Sequence, residues 1–297
     1  MKDRIFISGA GGFVGSVVRQ FFSSSEIVTF YRGDKIGIID SDIVIHLAGK
    51  AHDLKNVSSS DEYYKVNTEL TKVVFDAFLF SEAKVFITLS SVKAVADEVN
   101  GELTEDVIPN PITHYGKSKL LAEHYILSQP IPDGKRVYIL RPCMIHGPGN
   151  KGNLNLLYSL ISKGLPWPLG LFENSRSYFS IENLCFIIKE LIEREDIPSG
   201  VYNVADDLPL STNEVISMIA ESKGKKVRIL NLSRSLIKAL ARVGDLLKFP
   251  LNSERLQKLT ESYIVSNTKI KKALGKPLPV SSKEGLIRTF QSFADNA

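Results

Sequence analysis

Gly9, Gly12 and Gly15 stand at the spacing Gly-x-x-Gly-x-x-Gly, between a short apolar run from Arg4 to Ser8 and a helical pattern that continues to Phe22. Strand, glycine turn and helix in that order commit the chain to an α/β architecture, in which a helix returns across a parallel sheet. Missing side chains at these positions let the backbone approach a pyrophosphate and leave the N–H groups of the helix N-terminus pointing at it. With strand and helix flanking it as required, the turn reads as a dinucleotide-binding turn rather than as a tight glycine turn alone.

Ile27 to Tyr31 reads as the second strand. A strand that serves NAD ends in an acid that hydrogen-bonds the adenine ribose, but here the chain continues Phe30-Tyr31-Arg32, with no carboxylate before Asp34. Arg32 suits the additional phosphate of NADP, so the expected cofactor is NAD or NADP, with a tilt toward NADP. Ten residues, Gly33 to Asp42, separate this strand from the next apolar run, too few for a helix and a further strand. The fold expected is a Rossmann-type doubly wound parallel sheet with a shortened second crossover.

Asp42 to Leu47 reads as a buried strand that ends in His46-Leu47-Ala48-Gly49-Lys50, small residues over which a cofactor can lie. A long amphipathic helix, Ser60 to Ser81, carries Tyr63, Tyr64 and Asn67. Val85 to Leu89 is the next strand, with Ser90 and Ser91 at its C-terminal end, the edge where sites of such sheets collect. A loop from Ala96 to Thr113 delivers the chain to a helix that runs from Tyr115 to Gln129. Tyr115 and Lys119 are four residues apart, about one turn, so phenol and ammonium share a face. A cation beside a phenol favours the phenolate, and the same lysine can hold a ribose hydroxyl. The pair is a candidate proton donor or acceptor beside a bound nucleotide.

The second half, after the strand Arg136 to Arg141 and Pro142, loses the βαβ rhythm and reads as a smaller α+β substrate-binding region. The expected division is 1–148 for the nucleotide and 149–297 mainly for the substrate, with some elements returning to the first part. Trp167, bounded by two prolines, is expected either to pack or to line a pocket for a flat base. Ser211-Thr212-Asn213-Glu214 has the form of a capping box. Ser233 to Lys248 is amphipathic and basic, a pattern that also suits a membrane surface; it reads as a core-facing helix with a solvated face. At 297 residues with 43% hydrophobic and 24% charged residues, the chain has the composition of a soluble globular protein. Its net charge of +4 is spread out and the basic run from Lys223 to Arg228 has no interleaved aromatics, so no nucleic-acid partner is expected. Cys143 and Cys185 lie in separate apolar runs without metal-ligand spacing and read as reduced core thiols. No signal-peptide pattern and no long apolar run point to a membrane, which leaves the cytoplasm as the expected location.

Taken together, Gly9-x-x-Gly12-x-x-Gly15, His46-Leu47-Ala48-Gly49, Val66-Asn67, Ser90-Ser91, Tyr115-x-x-x-Lys119 and Leu140-Arg141-Pro142 resemble the extended short-chain dehydrogenase/reductase family, in its NAD-dependent epimerase/dehydratase branch. Tyr202-Asn203-Val204-Ala205 and the segment Ser266 to Gly275 look like later landmarks of that branch, so the resemblance covers nearly the whole chain. It implies a catalytic set of Tyr115 as acid/base, Lys119 on the nicotinamide ribose and lowering the tyrosine pKa, Ser91 on the sugar oxygen at C4, and Asn67 supporting a water-linked lysine. Cofactor contacts are implied at Gly9, Gly12, Phe13, Val14 and Gly15 of the first turn and at Tyr31 and Arg32. Further contacts are implied at Leu47, Ala48, Gly49, Lys50, Ser90 and Pro142. Arg176 is implied on the diphosphate of a nucleotide sugar, with Asn153 and Arg255 in the same pocket. The dehydratases of the branch place an Asp-Glu pair after the catalytic hydroxyl residue; Val92 and Lys93 stand there, which argues against 4,6-dehydration. Met144 stands where the family often has asparagine. The activity implied is hydride transfer between NAD(P) and C4 of a UDP-activated hexose, as a UDP-sugar 4-epimerase or a 4-ketoreductase, in a homodimer. A non-catalytic NAD(P)-binding sensor is the alternative, and it would have no need of the tyrosine and serine.

Overall fold

The computed structural model describes residues 3–30, 36–50, 59–150, 152–247 and 252–295, apart from the side chains of Asn153 and Asp295. The chain begins with β1 (Arg4–Ser8), α1 (Phe13–Phe21), β2 (Glu26–Phe30) and β3 (Ile43–His46). Helix α2 (Ser60–Tyr63) passes through a π-helical segment, Tyr64–Glu69, into α3 (Leu70–Leu79). Then come β4 (Val85–Leu89), a 3-10 turn (Val92–Ala94), β5 (Glu102–Leu103), α4 (His114–Ser128) and β6 (Arg136–Pro142). The second half holds β7 (Met144–His146), α5 (Asn153–Ser162), β8 (Tyr178–Ser180), α6 (Ile181–Glu193), β9 (Gly200–Val204) and α7 (Thr212–Ser222). It ends with α8 (Arg234–Leu247), α9 (Ser253–Thr260), β10 (Ile264–Val265), α10 (Thr268–Leu274) and α11 (Ser282–Asp295).

Six strands pair in the order β2-β1-β3-β4-β6-β9, and every pairing is parallel. The sheet is Rossmann-like. Its central strands are mostly apolar and buried, and the period of two sorts their side chains onto two faces. Ile5, Ile7, Ile43, Ile45, Val85, Ile87, Tyr138 and Leu140 join a core with Leu184, Ile187, Ile188 and Leu191 of α6. The alternate residues Phe6, Val44, Phe86, Val137 and Ile139 face Val74, Phe75 and Phe78 of α3 and Ile126 of α4. Between β2 and β3, the described residues 36–42 form neither helix nor strand, in line with the shortened crossover.

The sixth strand, β9, comes from the second half of the chain, and it adds to β6 through pairs such as Leu140 with Tyr202. A separate core joins α5, α7, α8, α9 and α11. Trp167 is buried in it and donates from its indole N–H to Asn213 Oδ1 at 2.9 Å, so of its two expected roles the packing one is observed. The capping box is present: Ser211 accepts from the Glu214 N–H, and Glu214 accepts from the Ser211 N–H at 2.7 Å. The loop expected from Ala96 to Thr113 contains β5, which pairs with β10; two residues of strand leave no periodicity to read. Both cysteines are free.

Helix α8 faces the core along one stripe and is exposed on the other side, as expected, but the exposed side carries apolar residues. It turns Ile237, Ala241 and Gly244 inward and leaves Leu236, Leu240, Val243 and Leu247 exposed. Apolar periodicity marks a helix, but it does not say which of two apolar stripes faces the core. Among the described residues no helix is long and apolar enough to cross a membrane.

Candidate active site

Tyr115 and Lys119 occupy successive turns at the start of α4. Thr113 caps this helix by accepting from the Gly116 N–H at 3.2 Å, and Asp97 accepts from the N–H groups of Ile112 and Thr113 at 2.7 and 3.2 Å. Gly116 makes the decisive approach: a Cβ there would lie 2.3 Å from the Lys93 carbonyl oxygen. A bare backbone at this point lets the first turn of α4 close on the 3-10 turn that follows Ser91, and the Ser91 and Tyr115 side chains are hydrogen bonded. Sequence reasoning passed over Gly116, although a glycine inside a helix's first turn, against propensity, was a signal that something comes close.

Part of Tyr115 is open to solvent, but its hydroxyl is enclosed, with the Tyr63 ring edge-on at 6.2 Å between centroids. Burial raises its pKa above the ordinary 10.0, and the Ser91 hydrogen bond pulls the other way. The protein's own groups therefore hold a phenol, the reverse of the depression expected from Lys119. The lysine is occupied elsewhere: its Nζ donates to the Leu89 carbonyl at the end of β4 at 2.9 Å. Burial brings Lys119 down from 10.5 to about 8, with Glu123 one turn further on opposing the shift. Glu123 in turn grips Arg141 of β6 through Nε at 2.9 Å and Nη2 at 2.5 Å, both side chains being buried.

Asn67 sits in the π-helical segment, a local widening of the helix that recurs at functional sites. Its Oδ1 accepts from the Lys50 N–H at 2.7 Å, and its Nδ2 donates to the Lys50 carbonyl at 3.1 Å and to Ser118 Oγ at 3.0 Å. Ser118, not singled out from the sequence, thus ties Asn67 to α4; its signal was a position three residues after Tyr115. Gly49 packs here too, since a Cβ on it would lie 3.1 Å from Lys119 Nζ and 3.3 Å from Asn67 Oδ1. A cavity of about 10 Å³, room for about one water, is lined by Asn67, Ser90, Lys119 and Glu123 among others. Ser90 Oγ is buried there without a protein partner among the described residues.

The glycine turn abuts the same assembly. Gly9 has a positive φ of 78° and a Cβ on it would lie 2.5 Å from the Ala48 N; a Cβ on Gly15 would lie 2.1 Å from the Gly9 carbonyl oxygen. Gly12 caps α1 from an extended conformation, and α1 has no acid in its first turn. The turn, with the Leu47-Ala48-Gly49 strand end pressed against it, fits a dinucleotide: the backbone is bare, the helix end is uncharged, and Phe13 and Val14 are half-buried beside it. Pro142 is buried at the end of β6, opposite Val204. Lys50 pairs through its ammonium with Glu62. Tyr31 and Arg32, which bear on the choice between NAD and NADP, lie outside the described residues, and so does the side chain of Asn153.

Arg176 lies between residue pairs that bridge it to Leu210 and Tyr263. Its guanidinium donates to the Lys258 carbonyl and stands 3.5 Å from Glu261. It also bears electrostatically on Lys93, whose ammonium donates to the Asp97 carbonyl at 2.6 Å and lies 4.3 Å from the Tyr263 ring centre. Arg176 is therefore beside the turn that begins at Ser91. Arg255 is exposed in the first turn of α9, where its N–H donates to the capping Asn252 at 2.8 Å. His46 is structural, bonded to Ser8 at 2.6 Å and Thr71 at 2.9 Å, and burial takes its pKa down to about 3.

Residues 5–205 match the model of the NAD dependent epimerase/dehydratase family. The chain belongs to this family. It is an enzyme of a family that uses NAD(P), and relatives match it along nearly its whole length. It is 29% identical over 326 aligned positions to a UDP-glucose 4-epimerase of Vibrio cholerae, covering 99% of this chain and 96% of the relative. It is 26% identical to an N-acetyl-alpha-D-glucosaminyl-diphospho-ditrans,octacis-undecaprenol 4-epimerase of Escherichia coli O157:H7, covering 98% and 95%. Its fold is that of the UDP-glucuronic acid 4-epimerase from Bacillus cereus solved in complex with NAD, with a TM-score of 0.73, 19% identity, and 98% and 99% of the two chains covered.

Proposed function

We propose that this family member transfers a hydride between NAD(P) and C4 of a UDP-activated hexose, as a 4-epimerase. The observation that carries the reading is the hydrogen-bonded Ser91–Tyr115 pair beside the buried Lys119, at the sheet edge reached by the glycine turn. NAD(P), when bound, accepts or returns the hydride of C4. Tyr115 Oη holds the proton of the 4-oxygen, Ser91 Oγ orients that oxygen, and Lys119 holds the nicotinamide ribose. A phenol held protonated by burial is the donor form, and it must lose its proton before it can act as base, which the approach of a cation favours. Asn67 fixes the helix and strand end around the lysine. Arg176, beside the same turn, offers a planar guanidinium for the diphosphate, with Asn153 and Arg255 as further contacts and residues 149–297 supplying most of the substrate side.

With Val92 and Lys93 after Ser91, that turn has no carboxylate to take a proton from C5, which supports a reaction confined to C4. Likeness to 4-epimerases along the whole chain favours epimerisation; Arg32 in place of the usual acid favours the second reading, reduction of a 4-keto sugar with NADPH. Exposed Val73 and Phe80 on and after α3, and Leu121 and Leu127 on α4, support a homodimer built on these helices.

The test is to identify the nucleotide that stays with the purified protein by mass spectrometry, then to incubate with UDP-glucose and UDP-N-acetylglucosamine and separate the 4-epimers chromatographically. Retained NAD with conversion of either sugar, abolished in Tyr115→Phe, is the expected result. Conversion that persists in Tyr115→Phe overturns the catalytic assignment, and strict NADPH consumption with a 4-keto substrate replaces epimerase by reductase.

A further inference from the structure

We infer that the outward side of α8 is a docking surface for an anionic lipid bilayer. At 100° per residue, Leu236, Leu240, Val243 and Leu247 fall within an arc of about 60°, beside the buried line of Ile237, Ala241 and Gly244 and not on it. They are 49%, 49%, 45% and 59% exposed, and Leu246, further round, is 83% exposed. On the other flank of the outward half stand Lys238 and Arg242, both exposed, with Arg234 at the helix start donating to the Leu171 carbonyl at 2.8 Å. A helix lying on its protein with one outward flank apolar and the other basic meets a membrane interface along its length: leucines enter the acyl boundary and cations reach the headgroups.

Charge selects the occupant. From Lys223 to Arg242 the chain has seven Lys and Arg residues, no Asp or Glu and no aromatic residue. A second copy docked on this face by a two-fold axis would bring Lys238 and Arg242 against their own kind, while the one carboxylate of the helix, Asp245, is already engaged by Ser253. A nucleic acid would satisfy the cations but leave the leucine strip in water. An anionic bilayer satisfies both. The surface is also linked to the rest of the second half: Asp245 near the end of α8 accepts from the Ser253 N–H and hydroxyl at 2.9 and 2.6 Å, at the start of α9.

The test is cosedimentation of the full chain with vesicles of 1:1 phosphatidylglycerol and phosphatidylcholine, against vesicles of phosphatidylcholine alone. Binding is expected to the anionic vesicles, at least about tenfold stronger than to neutral ones and weakened by 500 mM salt. Lys238→Gln with Arg242→Gln should lower it about 25-fold, at about fivefold per cation. Leu240→Ser with Val243→Ser, on side chains about half exposed, should weaken it comparably while lowering the melting temperature by no more than a few degrees. The inference is overturned if the wild-type chain does not bind anionic vesicles or if both double variants bind as well as wild type. It is also overturned if the Leu240→Ser, Val243→Ser chain changes from dimer to monomer by light scattering, because the face would then be a self-interface.

Discussion

Replacing Lys119 by Met should stabilise the protein while removing its activity. Burial lowers the Lys119 pKa from 10.5 to about 8, the opposing pull of Glu123 included. A difference of roughly 2.5 units at 1.36 kcal/mol each is a penalty of about 3 kcal/mol carried by the charged side chain in the folded state. Methionine keeps the unbranched stem and removes the charge; it also leaves the Leu89 carbonyl without its donor, which costs about 1 kcal/mol. The net gain at pH 7 is about 2 kcal/mol, a rise of about 4 °C in a chain of this size. Because the folded pKa lies below the unfolded one, the destabilisation is complete below about pH 8 and fades as pH climbs toward 10.5, where both states release the proton. Scanning calorimetry of both proteins at pH 7 and pH 10 should show the advantage of Lys119→Met at pH 7 and its disappearance at pH 10. A variant less stable than wild type at pH 7, or a gain that does not change with pH, would refute the reasoning.

Three further outcomes follow from the same geometry. Ser91→Ala, which removes the partner of Tyr115 and leaves the glycine turn untouched, should lower turnover by about 10²-fold with the affinity for NAD measured by calorimetry unchanged. Gly15→Ala should destabilise by at least about 3 kcal/mol and abolish nucleotide binding, since its Cβ would lie 2.1 Å from a backbone oxygen, whereas Gly11→Ala, with nothing within 4 Å, should leave urea unfolding within about 0.5 kcal/mol of wild type. Arg141→Met strands Glu123 as a buried carboxylate and should cost about 3–5 kcal/mol in the same assay; a cost under about 1 kcal/mol would mean that the pair is solvated.

The nucleotide-binding half was legible because its signals are local. Glycines three residues apart between a strand and a helix, with Gly15 closing on the Gly9 carbonyl, or a tyrosine and lysine one turn apart, are specified within a few residues of chain. What escaped depends on contacts between distant segments. The π-helical segment around Asn67 has no sequence periodicity of its own. Gly116 matters only because Lys93 stands opposite, and the inward side of α8 is chosen by the second-half core it joins, α9 included. The direction of the Tyr115 pKa is likewise set by distant segments: burial raises it, and the Lys119 ammonium that spacing puts on the same face is bonded to the Leu89 carbonyl of another element.

Seen as a construction, the site is held by the close approach of strand ends rather than by the charged groups alone. Gly15 lets α1 reach the Gly9 turn, Gly9 lets that turn reach Ala48, Gly49 lets the β3 end reach Lys119 and Asn67, and Gly116 lets α4 reach the turn after Ser91. Each step removes one side chain so that the next group can enter, and together they link the proposed pyrophosphate position to the proposed proton donor through close contacts among the described residues. Rigidity of this kind is what hydride transfer needs, because donor and acceptor carbons must be held to a fraction of an ångström. The same close packing is what desolvates Lys119. A destabilised lysine is therefore a consequence of the glycine frame, and relieving it by mutation should raise stability at the expense of the reaction the frame serves.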